Sequence, residues 1–225
     1  MLRFTTLAAG LLLSAGAFAL SLSELTQQDA SGGLKDALAQ GAQVAVQQLG
    51  TPGGFSNNDA VRIELPGKLG KAAKTMKMMG MGAQLEELEA GMNQAAEAAV
   101  PQAQAILVDA VKRMTVSDAK AILAGGEDSA TQYLDRSSRE QIRNSFLPIV
   151  KQATDRIGLA QQYNSLASQA SAFGVVDRQS ANVESYVTEQ ALNGLFKMIA
   201  EQEASIRQNP AGAATSLARK VFGTL

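Results

Sequence analysis

NVESYVTEQALNGLFKMIAEQEASIRQNPAGAATSLARKVF, residues 182–222, is the stretch whose reading decides the fold. Val187, Ala191, Leu192, Leu195, Phe196, Ile199 and Ile206 recur at steps of three and four, the period of a helix with one apolar face. Glu189, Lys197, Glu201 and Glu203 fall on the other face, where water is expected. Glu203 precedes Arg207 by one turn, in the favourable acid-first order. Asn209-Pro210 stops the helix, because the proline ring disfavours a helical residue before it. The same pair can open a last helix, with Asn209 as cap, that buries Leu217, Val221 and Phe222. The longer helix, roughly 20 residues, would span about 30 Å. Burying its seven apolar side chains is worth on the order of 10–20 kcal/mol before entropy is subtracted. It is therefore expected to run through the middle of the fold.

The start of the chain has a different character. Arg3 is followed by an apolar run from Leu7 to Phe18 and by Ala17-Phe18-Ala19. A basic start, a short apolar middle and a small-x-small end describe a secretory signal peptide cut after Ala19. The run is too short to span about 30 Å of hydrocarbon, and no cysteine follows it for lipidation. Residues 20–225 are then expected in the periplasm. Losing Arg3 leaves 19 basic against 21 acidic side chains, a net of −2, which argues against nucleic acid as a partner. The 225 residues include no cysteine and no histidine. Serine–histidine and cysteine–histidine nucleophiles, histidine-bound zinc and imidazole acid–base catalysis are thereby excluded.

Taken in order, Leu20, Leu22 and Leu25 are read as lying across the surface. A first helix starts near Ser31, with Leu34, Leu38, Ala42, Ala45 and Leu49 on one face and Gly50 closing it. Val61-Arg62-Ile63-Glu64-Leu65 is the one strand-like alternation, predicting a short extended clip or at most a two-strand scrap. From Lys68 to Met79 the helical period returns: Leu69, Ala72, Ala73, Met76 and Met79 share one arc, the lysines the other, and Gly80 ends the helix. Gln84 to Val100 is another helix, which Pro101 either kinks or follows with a new one holding Ile106, Leu107, Val108, Val111 and Met114. Thr115 and Asp118 have capping spacing for a short helix ending at Gly125-Gly126. A short helix over 130–134 precedes a longer one capped by Ser137 or Ser138 and distorted by Pro148. Leu159 to Phe173 is amphipathic again, Gly174-Val175-Val176 is a link, and Ser180 is a candidate cap. With no repeat and no long linker, residues 20–225 read as one all-α domain, a bundle of eight to ten helices.

Four strings carry a resemblance: NNDAVRIELP at 57–66, AAEAAVPQAQ at 95–104, MTVSDAKAIL at 114–123 and SYVTEQALNGLFKMIAEQEASIRQNP at 185–210. With the leader-like start, the chain resembles the bacterial domain of unknown function 4197 family across essentially all of its length beyond Ala19. The resemblance implies an exported, mainly helical protein, and it brings no catalytic residues to carry over.

Several residue groups invite a chemical reading. Lys68, Lys71, Lys74 and Lys77 form a basic helix face that suits an anionic membrane surface, the alternative being a solvated face over a core-packed helix. Met76, Met78, Met79 and Met81 are soft copper ligands by type, yet the helical wheel separates them: Met76 and Met79 to the core, Met78 among the lysines, Met81 beyond Gly80. Glu184-Ser185-Tyr186 faintly resembles the opening of lysozyme-like lytic transglycosylases, in which one glutamic acid protonates a glycosidic oxygen. A lysine stands where that family keeps glutamine, and Asn193-Gly194 interrupts the spacing. Asn57-Asn58-Asp59 and Glu127-Asp128 lack the alternating spacing of a calcium loop and read as turns and caps. Tyr133, Tyr163 and Tyr186 could rim a pocket with Arg207, or be part-buried packing.

No cofactor and no metal site follow from these residues. The reading is an exported, non-catalytic binding or interaction protein of the cell envelope, with an envelope protein or lipid as partner and possible peripheral contact with an anionic membrane. The alternative is a peptidoglycan-cleaving enzyme using Glu184.

Overall fold

The apolar stripe of residues 187–206 lies at the centre of a wholly helical architecture. A computed structural model describes residues 27–172, 182–213 and 215–223, and no strand occurs among them. The helices are α1 (Gln27–Leu49), α2 (Gly67–Met76), α3 (Gly82–Ala99), α4 (Ala103–Arg113), α5 (Val116–Leu123), α6 (Ser129–Arg156), α7 (Leu159–Ala172), α8 (Val183–Gln208) and α9 (Ser216–Phe222). A π-helical turn, Lys77–Met81, joins α2 to α3, and a 3-10 turn, Val100–Gln102, joins α3 to α4. Residues 67–113 follow one another without a connecting loop, and the described residues hold seven helical stretches, fewer than the eight to ten expected. Gly80 breaks the helical geometry as expected, with a kink and no loop after it, whereas Pro101 does not end the path. Gly80 turns the path at φ 86°, and Pro101 sits at the start of the 3-10 turn, where its missing N–H costs little. The leader at 1–19, the leucines at 20, 22 and 25, the link at 174–176 and Ser180 lie outside the described residues.

Helix α8 packs against α1, α3 and α6. Val187, Ala191, Leu192, Leu195, Phe196 and Ile199 are buried, with Ile206 half-buried at the end of the stripe. Asn182 caps α8, accepting from the Ser185 N–H at 2.9 Å. After Asn209 the chain makes a 3-10 turn, Pro210–Gly212, and α9 takes its cap from Thr215, whose hydroxyl accepts from Ala218 N–H. Of the three apolar side chains expected to be buried in that last helix, Val221 and Phe222 are, and Leu217 is half-buried.

Two further expectations change. Residues 129–156 form one 28-residue helix rather than two, with Pro148 inside it. The hydroxyl of Ser138 donates back to the Leu134 carbonyl at 2.5 Å, so it lies within the helix instead of opening one. The N-terminus of this helix is capped by a distant side chain, described below. Residues 61–65 do alternate, with Val61, Ile63 and Leu65 buried and Arg62 and Glu64 exposed. They pair with no strand, and a side chain takes the strand's place: the Ile63 N–H donates to Asn93 Oδ1 and Asn93 Nδ2 donates to the Ile63 carbonyl, both at 2.9 Å. One amide of α3 thus satisfies both backbone groups of an extended residue.

Candidate functional site

Several polar side chains in and beside the family-like strings are occupied in holding the chain together. On α3, Glu89, Asn93 and Glu97 stand one turn apart and face the connection 50–66. Glu89 pairs with Arg62 at 2.8 Å, and Glu97 Oε1 accepts from the Phe55 N–H, the Ser56 N–H and the Ser56 hydroxyl at 3.1–3.2 Å. From α8, the Tyr186 hydroxyl donates to the Glu64 carbonyl at 3.0 Å and Lys197 Nζ to the Ala60 carbonyl at 2.8 Å. Gly194 completes this seat: a Cβ there would stand 2.7 Å from Phe55 Cε1, so only glycine admits the buried ring.

Glu203 departs furthest from its sequence reading. It is 4% exposed rather than in water. Its carboxylate accepts from Ala130 N–H (3.1 Å), Thr131 N–H (2.8 Å) and Thr131 Oγ1 (2.8 Å), capping α6 from α8. Arg207 closes the charge from one turn away at 2.9 Å, donates to the Ile122 carbonyl at 3.3 Å and lies over the Phe222 ring. Arg207 is thus part of a junction of α5, α6, α8 and α9. Tyr186 lies 21 residues earlier on the same helix, about 32 Å away, so the two do not rim one pocket. Tyr163 is buried close to Tyr186. The Tyr186 hydroxyl is pushed up by burial first, then by Glu64 and Tyr163. Tyr133 is half-buried elsewhere, held up by burial and by Asp118.

Glu184 sits half-buried in the first turn of α8. Nearby Lys151 is held above its ordinary range, first by Asp155 and in smaller part by Glu184. Two surface grooves are described, one on α6 around Pro148, Lys151 and Asp155, the other between α3 and α7; Glu184 lines neither. The second encloses about 330 Å³ and is edged by Gln84, Glu87, Gln161, Gln162 and Gln169. Among the described residues no three Asp or Glu side chains converge to hold a metal. Asn58 closes its own turn by accepting from Ala60 N–H, and Asp128 accepts from Gln132.

One exposed surface is the outer face of α2 and the turn after it; Val116, Leu147 and Ile157 are exposed elsewhere. Lys71 and Lys74 are exposed, and no ion pair engages them among the described residues. Lys77 is exposed and reaches Glu86 at 3.4 Å; Lys68 lies in the first turn of α2. Met78 is 75% exposed and Met79 41%. Met78 follows Lys77 in the π turn that ends α2, while Leu69, Ala72 and Met76 on the reverse face of α2 are buried. Met79 was expected in the core, and Met81 takes that place at 6% exposure. The α-helical register of α2 is already lost at Lys77, where the π turn Lys77–Met81 begins, and Gly80 at φ 86° then redirects the chain. The methionines therefore diverge, two inward and two outward, and do not gather as a copper site.

No helix among the described residues is long and apolar enough to cross a membrane. The chain belongs to the family described as "Protein of unknown function (DUF4197)", which it matches over residues 24–223. No curated protein and no solved structure matches it.

Proposed function

We propose that this is an exported, non-catalytic interaction protein of the cell envelope, formed as one helical domain, that seats the outer face of α2 on an anionic membrane surface. The observation that carries the reading is Met78, three-quarters exposed next to Lys77 at the end of a lysine-bearing helix. A solvated lysine face needs no exposed apolar side chain beside it. A face that meets headgroups does, because cations attract the surface and thioether tips enter the boundary between headgroup and chain. Lys71, Lys74 and Lys77 contribute about 1 kcal/mol each near such a surface. Entry of two apolar side chains adds a comparable amount. The sum gives a weak, reversible and salt-sensitive association. The leader-like residues 1–19 support delivery to a compartment where membrane lies on either side.

Flotation with vesicles tests this. The chain from Leu20 onward, the form expected after export, is expected to float with phosphatidylglycerol-rich vesicles and to stay behind with phosphatidylcholine. The double change Lys71→Glu, Lys74→Glu is expected to abolish flotation, because it reverses two charges. Equal flotation of both proteins would overturn the reading.

A further inference from the structure

We infer that Met78 and Met79 are this chain's site of oxidation by peroxide, and that their conversion to sulfoxides releases the α2 face from the membrane. The inference rests on the docking reading for its second half only. Its first half rests on sulfur. The chain has no cysteine, so methionine is its one source of oxidisable sulfur. Among the described methionines, Met76, Met81, Met92, Met114 and Met198 are buried, none above 7% exposure, whereas Met78 and Met79 stand outside the core. Susceptibility of sulfur to oxidants follows access, and the exposed pair sits at the tip of a turn, with no side chain closing over Met78.

The chemistry balances with hydrogen peroxide as oxidant. A lone pair of the thioether sulfur attacks one peroxide oxygen, the O–O bond breaks, an S–O bond forms, and water leaves. Sulfur is oxidised by two electrons and the peroxide is reduced. The product is a polar, hydrogen-bonding sulfoxide in place of an apolar tip. At Met78 that polar group stands next to Lys77 at the end of the lysine-bearing helix, where the proposed face needs insertion. The lysines keep their charge, so attraction persists while the apolar share of the binding is lost. Affinity for anionic vesicles is expected to fall about tenfold.

The test treats the chain from Leu20 onward with dilute hydrogen peroxide, locates added oxygen by peptide mass spectrometry, and measures flotation on phosphatidylglycerol-rich vesicles before and after. Oxygen is expected on Met78 and Met79 well before any other methionine. Flotation should drop with it and return after treatment with methionine sulfoxide reductases of both stereochemical types. The Met78→Leu, Met79→Leu variant should float before and after peroxide alike. Oxygen appearing first on a buried methionine would overturn the site. Selective oxidation with unchanged flotation would overturn the release while leaving docking intact. Absence of flotation before peroxide would sink docking and release together, with the site of oxidation still decided by mass.

Discussion

Glu203 and Thr188 are both buried polar side chains of α8, and they are placed very differently. Glu203 has a donor for each oxygen, supplied by α6 and Arg207. Removing it leaves Arg207 uncompensated and the first N–H groups of α6 without an acceptor. Glu203→Ala is therefore expected to cost about 3–5 kcal/mol, measured as a lower urea midpoint at unchanged slope. A loss within about 0.5 kcal/mol, the usual range for a surface change, would show that the buried pair is not engaged. Thr188 has the opposite problem: its hydroxyl is buried and finds no partner. Thr188→Val keeps the shape and removes the stranded group, so it is expected to stabilise by about 1 kcal/mol. A clear loss of stability would mean the hydroxyl is satisfied after all. Neither role was legible in the sequence. The acid-first spacing of Glu203 and Arg207 is visible there, but the backbone groups Glu203 caps lie 72 and 73 residues away. A local pattern reads such a glutamate as solvent-facing.

At the scale of elements, sequence periodicity served wherever a face packs along a straight axis. Six of the seven residues in the three-and-four pattern of α8 are buried, with Ile206 half-buried, and the capping box of α5 at Thr115 and Asp118 is present in both directions. Periodicity failed in the π turn around Gly80 and at Ser138, which lies inside a continuous α6 instead of opening a helix, whereas Pro148 lies inside a helix as expected. Contacts between elements supply the remainder. Arg143 and Arg139 of α6 both reach Glu189 of α8. The hydrogen bond from Arg143 holds that carboxylate below its ordinary range, with Arg139 adding to the effect and partial burial opposing it. A depressed folded-state value means the link stabilises above the unfolded value, near 4.5, and is lost as pH falls through the folded one. Urea midpoints of the chain and of Glu189→Gln should therefore differ near neutrality and converge as pH drops below about 4. A gap that stays constant with pH would contradict an ionic link between α6 and α8.

For the whole molecule, the buried apolar side chains among the described residues form one cluster to which α1 through α9 all contribute. Fold class was legible because every helix carries an apolar stripe that must be covered. The candidate surface was half legible. The lysines announce themselves by spacing, whereas the exposure of Met78 and Met79 goes with the π turn Lys77–Met81, which the α-helical period does not show. The family strings point elsewhere: their Arg62, Glu97, Tyr186, Gly194 and Glu203 fasten the connection 50–66 and the start of α6 to the body. The membrane reading proposed above places the contact on the α2 face instead. Hydrogen exchange of the chain from Leu20 onward, with and without phosphatidylglycerol-rich vesicles, tests this most directly. Added protection is expected over residues 68–82 and nowhere else. Protection centred on the groove between α3 and α7 or on the first turn of α8, or none at all, would contradict membrane docking through α2.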